Sequence, residues 1–272
     1  MGYVQEFMSI VHGDGPVVAV ALHAGHDVRD EVAALMAVDS AARLREEDPV
    51  TDAWVRVAPT HVTVARSRFE VDLNRPRARA VYGDAEDAWG IQVWREQPLP
   101  VDVARRSRAE HREFYAAMRS VLDAKVEEYG GFVLLDLHSY NHRRGGPDAP
   151  AAESVENPGV NVGTGTLSRR RWGSLVDGFM GDLAVGLGDG ADVRENVKFR
   201  GGYLARWAND RYRTGCCLAI EFKKTYMDEW TGEPDPAACA RITQALRGTI
   251  PLLERALDFS LERLKDEVQP RL

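Results

Sequence analysis

Seven histidines are spread along the 272 residues, and three of them stand where chemistry can be done. His23 and His26 follow directly after one apolar run, in His23-Ala24-Gly25-His26-Asp27, and His138 follows another, in Leu135-Asp136-Leu137-His138-Ser139-Tyr140. Loops beyond the carboxyl ends of parallel strands can aim side chains at a single point. A hydrolytic zinc site takes three neutral or anionic protein ligands and keeps one position open. His23, His26 and His138 would supply such a set, a short-spaced pair and one distant third ligand. Glu221 lies inside the apolar run Leu218-Ala219-Ile220-Glu221-Phe222. A carboxylate there is costly to bury unless it is paired or faces a cation, so it reads as a general base with a raised pKa. In Val71-Asp72-Leu73-Asn74-Arg75 the Arg75 fork suits a carboxylate, and Asn74 adds neutral hydrogen bonds. Arg66 and Arg68 are two residues apart, on one side if the segment is a strand, and one of them can reach the site.

Each feature has an unremarkable counterpart. A histidine after a strand often caps a loop, Asn-Arg is a common dipeptide, and a strand-end Glu often faces solvent. His23-x-x-His26 also lacks the pattern of a helical His-Glu-x-x-His metalloprotease. The combination carries the reading. His12, His61, His111 and His142 have no comparable setting and read as structural or exposed.

The elements that must position these residues are legible in outline. Continuous apolar runs at 17–22, 132–137 and 216–222 read as strands covered on both faces by helices. Helical periodicity appears over 30–45, over 103–129, and most cleanly from Trp172 to Leu183. A last helical region runs over 236–268, with Pro251 as an expected kink or break. The Gly-, Pro- and acid-rich stretch 142–161 reads as a surface loop, and 186–192 as a second turn-rich segment. No repeat or second periodic core interrupts the chain. The expectation is one α/β domain over 1–272, a mixed, mostly parallel central sheet flanked by helices.

Composition narrows the function classes. A formal net charge of −7 argues against a nucleic-acid surface, and the run Arg169-Arg170-Arg171 reads as a solvated face. Three cysteines, two of them adjacent at Cys216 and Cys217 in an apolar run, suit neither a disulfide framework nor a cysteine zinc site. The sequence has no signal-peptide pattern and no run of about 18 apolar residues. A cytoplasmic protein without membrane partners is expected.

The ordered set resembles a family pattern. In zinc carboxypeptidases a strand leads into a His-x-x-Glu pair, followed by Asn-Arg, a strand ending in His-Ser-Tyr, and a late strand bearing the catalytic Glu. Here the same order stands as His23-x-x-His26, Asn74-Arg75, His138-Ser139-Tyr140 and Glu221. The stretches at 21–27, 66–76 and 136–139 are similar to the N-formylglutamate amidohydrolase family, related to those peptidases, over roughly 17–226. The resemblance implies a zinc-carboxypeptidase-like scaffold and a Zn2+ cofactor on His23, His26 and His138. It implies Glu221 as the base, Arg66 or Arg68 stabilising the oxyanion, and Asn74 and Arg75 holding a substrate carboxylate. Tyr140 and Tyr203 become lid or pocket residues, and Asp136 an orienting group. One departure stands out: His26 occupies the place of a glutamate ligand, with Asp27 and Glu31 as substitutes if it points away.

The reading is zinc-dependent hydrolysis of the amide of an N-acyl amino acid such as N-formylglutamate. The substrate would be a small molecule or short peptide bearing a carboxylate. A metallocarboxypeptidase acting on a peptide inside the cell is a rival, and a non-catalytic zinc-binding protein is a rival of another class. Closed structural zinc sites usually carry four ligands, often including cysteine. No cysteine lies near either histidine cluster.

Overall fold

A computed structural model describes residues 2–268 of the chain. Its strands are β1 (Gly2–Gln5), β2 (Met8–Val11), β3 (Val17–Ala21), β4 (Thr60–Val64), β5 (Phe132–Tyr140), β6 (Val160–Gly163), β7 (Val193–Glu195) and β8 (Gly215–Lys223). The helices are α1 (Asp30–Ala33), α2 (Ser40–Glu46), α3 (Thr51–Trp54), α4 (Val101–Tyr129), α5 (Arg169–Leu187), α6 (Tyr203–Arg211) and α7 (Pro236–Val268). The strands form one mixed sheet in the order β1-β2-β4-β3-β5-β8-β6-β7. Its centre, β4-β3-β5-β8, is parallel; β1, β2 and β6 enter antiparallel. The expected mixed sheet flanked by helices is therefore what the chain forms.

The apolar runs are continuous because both faces of the central strands are covered. Val133, Leu135 and Leu137 of β5 pack with Trp172, Leu175 and Phe179 of α5 and Leu246 and Leu253 of α7. Phe132 and Leu134 pack on the other face with Phe114, Met118 and Leu122 of α4 and Leu204 of α6. Each such side chain fully buried contributes roughly 1.5–3 kcal/mol. Strand alternation then puts Asp136 and His138 of β5, and Glu221 of β8 beyond Cys217 and Ala219, on the α4/α6 face at the carboxyl ends.

Chain order sets the location of the site. After β3 the chain crosses to β4 on one side, and then returns by α4 to β5 on the other. A crevice opens at such a switch point, beyond the carboxyl ends of the strands.

Three sequence expectations change in detail. The helix over 30–45 is interrupted: residues 35–38 pair with 93–95 through Ala37 N–H to Val93 O at 2.8 Å and Arg95 N–H to Leu35 O at 2.9 Å. Asp39 then starts α2 by accepting from Ala42 N–H at 2.7 Å. Pro251 does not break α7, which runs continuously over Pro236–Val268. The segment holding Arg66 and Arg68 is not a strand but a single bridge, Asp27 with Arg66, followed by a turn, so the two arginines diverge. Cys216 and Cys217 are buried free thiols in the core. No helix among the described residues is long and apolar enough to cross a membrane.

Candidate metal centre and its cavity

One ligand atom from each of His23, Asp48 and His138 lies within 4.8 Å of the other two, and all three residues are buried. His23 stands two residues beyond β3, His138 is in β5, and Asp48 lies in the connection from β3 to β4. The two rings meet edge to face, centroids 5.0 Å apart. Each ring has a carboxylate behind it, hydrogen-bonded at His23 and at ion-pair distance from His138. His23 Nε2 bonds Asp72 Oδ1 at 2.8 Å, and His138 Nε2 lies 2.9 Å from Asp136 Oδ1. The opposite nitrogens, both Nδ1, turn toward Asp48 Oδ2, at 3.6 Å from His23 and 2.9 Å from His138.

This arrangement fits a metal ion. His23 Nδ1 is buried without a hydrogen-bond partner among the described residues. Two imidazole nitrogens and a carboxylate oxygen form a zinc-type donor set, and the Asp72 hydrogen bond behind His23 fixes the tautomer that leaves its Nδ1 free to ligate.

Asp48 is held in place on several sides. Its N–H donates to His23 O at 2.9 Å, and its carbonyl accepts from Thr51 Oγ1 at 2.7 Å. Buried Lys224 donates to Glu47 O at 2.6 Å and Arg45 O at 2.5 Å, and Tyr226 OH donates to Pro49 O at 2.9 Å. Val50, two residues on, has φ 76, a left-handed conformation that a β-branched residue enters only under constraint.

Electrostatics follow from the crowding. Burial alone would raise the Asp48 carboxyl, but hydrogen bonds and charge from His138 and His23 outweigh it and hold it far below the usual range. Burial works against a charged His138, yet Asp136 and Asp48 raise it well above the ordinary imidazole value. Asp72 is also held low, by Arg68 and His23 against its burial. Burial pushes Glu221 up to about 8, opposed by the charge of His138. Burial lowers Lys224 to about 8.

The trio opens into a cavity of about 360 Å³ that is also lined by Glu221, Arg68, Asn74, Arg75 and Tyr140. The structure thus gathers most residues singled out in the sequence, with three differences. His26 is turned outward: its Nδ1 bonds the buried Glu47 at 2.5 Å and its Nε2 meets Ser40 Oγ at 2.8 Å. The backbone after Gly25 runs alongside β4, Asp27 N–H bonding Ala65 O at 2.9 Å, which directs His26 away from the strand ends. Neither Asp27 nor Glu31 takes its place; Glu31 pairs with Arg29 and Arg106 at the surface. Arg66 is spent on a two-pronged pair with Glu110, both contacts 2.9 Å, whereas Arg68 lines the cavity and bonds Asp72 at 3.1 Å. Tyr203 does not line the cavity; it packs near Tyr115 and His111, and His111 supports Arg75 O at 2.8 Å.

Sequence reasoning missed Asp48. It closes the acidic run Glu46-Glu47-Asp48, which has the look of a solvated helix end, yet all three are buried. The Asp-Pro step ending that run was the available signal. Arg144 and Arg200 of the cavity wall were missed as well.

The sequence model of the N-formylglutamate amidohydrolase family matches residues 15–227. No curated protein matches the chain significantly. Among solved structures, an N-formylglutamate amidohydrolase from Ralstonia eutropha JMP134 aligns with a TM-score of 0.67 at 20% identity, over 96% of this chain and 99% of that one. A gene product of Agrobacterium tumefaciens aligns with a TM-score of 0.64 at 15% identity, over 96% and 97%. At these identities the likeness speaks for the fold. A metallo-carboxypeptidase from Burkholderia cenocepacia aligns at 0.40 and 12% identity, over 93% of this chain and 61% of that one, too low to argue from.

Proposed function

The chain belongs to the N-formylglutamate amidohydrolase family, and from that premise we propose that it hydrolyses the amide bond of an N-acyl amino acid at a zinc site on His23, Asp48 and His138. One observation carries the reading: two imidazoles, each backed by a carboxylate, converge with Asp48 beside a cavity that Glu221 also lines. Zinc held there supplies a Lewis acid that acidifies water and polarises a carbonyl.

The remaining steps fall to this chain's own residues. Glu221, with its affinity for protons raised by burial, accepts a proton from the attacking water and passes it to the departing amine. Arg68, fixed by Asp72 and by Tyr82 OH at 3.2 Å, presents a guanidinium to the oxyanion that develops on the acyl carbon. Asn74 and Arg75 line the same wall and orient the substrate carboxylate. Asn74 is itself positioned, its Oδ1 accepting from Leu204 N–H at 3.0 Å and its amide lying 3.3 Å from His138 Nε2.

The test is Glu221→Gln with zinc content and N-formyl amino acid hydrolysis measured together. About one zinc per chain is expected to be kept while turnover falls about 10²–10⁴-fold. A Glu221→Gln protein with full activity refutes the mechanism. Wild-type protein that neither contains nor binds zinc refutes the site.

A further inference from the structure

Six lysines and arginines line the cavity, and five of them are already spoken for. Arg68 pairs with Asp72 at 3.1 Å, Arg75 with Asp87 at 2.6 Å and Asp72 at 3.3 Å, and Arg144 with Glu46 at 3.1 Å. Lys198 donates to Asn157 Oδ1 at 2.7 Å, and Lys224 to two backbone carbonyls. Arg200 is different. It lines the cavity, and among the described residues its guanidinium has no hydrogen bond, ion pair or ring contact.

Its position is built rather than accidental. The loop from β7 to α6 is fastened by the buried Asn161, whose Oδ1 accepts from Lys198 N–H at 2.8 Å and Phe199 N–H at 3.2 Å, and whose amide donates to Phe199 O at 2.8 Å. Arg200 O accepts from Gly165 N–H at 2.8 Å. The Arg200 side chain crosses Gly165 so closely that a Cβ there would lie 2.8 Å from Arg200 Cβ and 3.2 Å from its Nε. Gly201 has φ +109, and a Cβ on Gly202 would fall 2.3 Å from the Asn74 amide. Tightly fastened backbone thus places Arg200, with no charge partner among the described residues, in the cavity wall, where a planar fork would suit a carboxylate.

We propose that Arg200 is a specificity-determining residue, holding a second carboxylate of the substrate and distinguishing an acidic N-acyl amino acid from its neutral counterpart. The inference rests on the amidohydrolase reading for its substrate, while its geometry stands apart from the metal trio. Arg75, with two aspartates already on it, is the weaker recipient for that second charge.

The experiment compares binding of glutarate with binding of its monoamide by calorimetry, in wild type, Arg200→Ala and Arg200→Lys. Because the side chain is exposed and has no hydrogen bond or ion pair among the described residues, neither substitution removes a polar folding contact. Wild type is expected to favour glutarate by about tenfold or more, Arg200→Ala to bind the two alike, and Arg200→Lys to fall between. The ratio of kcat/KM for N-formylglutamate over N-formylglutamine should drop by a similar factor in Arg200→Ala. Wild type without the preference, or Arg200→Ala that retains it, overturns the proposal. If no N-formyl amino acid is hydrolysed but the preference for glutarate disappears with Arg200, the amidohydrolase reading fails and the anion-binding role of Arg200 stands.

Discussion

At the scale of single residues, the proposed ligand set leaves out His26 and takes in Asp48. His26 holds Glu47 and Ser40 on the outer side of the strand ends, so His26→Ala should leave zinc stoichiometry at about one per chain. Its cost falls on stability, about 1–3 kcal/mol, because buried Glu47 loses one of its partners while keeping Ser67 and Arg43. Asp48→Ala, His23→Ala and His138→Ala should each abolish stoichiometric zinc. Asp72→Asn and Asp136→Asn, acting from behind the imidazoles, should weaken zinc by about 10–100-fold. Metal analysis with chelator competition reads all six variants. Zinc lost from His26→Ala and kept in Asp48→Ala would reverse the assignment. The sequence reveals His23, His138 and Glu221 because each stands at or in an apolar strand, where a polar side chain is conspicuous. Asp48 is hidden because its burial depends on partners far away in sequence, such as Arg144 against Glu46 and Lys224 against the Glu47 carbonyl.

At the scale of elements, the approach of α5 to α7 makes an uneven demand on two glycines. A Cβ on Gly186 would lie 2.8 Å from Ala245 Cα, a backbone atom that cannot yield without moving α7. A Cβ on Gly178 would meet only the side-chain tips of Leu252 at 3.1 Å, which can rotate. Gly186→Ala should therefore destabilise by about 1–3 kcal/mol. Gly178→Ala should fall near neutral, because better helix propensity, worth up to about 1 kcal/mol, offsets the small adjustment. Urea midpoints of the two variants decide it; equal shifts would mean that the helices do not pack as described. The central strands β3, β5 and β8 are legible because cover on both faces leaves long apolar runs. β2 and β4 are short, with buried and less buried positions alternating, and β7 is only half-buried throughout, so none reads clearly. Pro251 misleads for a simple reason. Leu246, Leu253 and Leu257 fall on one buried stripe, and packing against the sheet and α5 keeps α7 continuous where the local rule predicts a break.

At the scale of the whole molecule, the buried titratable groups around the candidate metal centre tie folding to pH. In metal-free protein Glu221 has its folded pKa raised to about 8 from an ordinary value of 4.5. Between those values the folded state holds a proton that the unfolded state has released, so stability falls as pH rises through the window. His138 works in the same direction: raised above 6.5 in the folded state, it contributes stability below that value and loses it as pH climbs through its folded pKa. Asp48 and Asp72 are held below 3.8, so their contribution is present above that value and disappears as acid protonates them. Lys224, lowered to about 8 from 10.5, opposes the first two only at alkaline pH, where stability it withheld is regained. Metal-free protein should accordingly be most stable near pH 4–5 and weaken steadily toward pH 8. Glu221→Gln, which cannot titrate, should flatten part of that decline. Zinc should flatten more of it, because a cation at the trio favours the ionised carboxylates and neutral imidazoles and withdraws the gain from protonating His138. Thermal melts across pH 4–8, with and without chelator, give the comparison. A metal-free profile that rises over that range would mean that burial of Glu221 and the charge on His138 do not govern the site, and the general-base role of Glu221 would lose its physical basis.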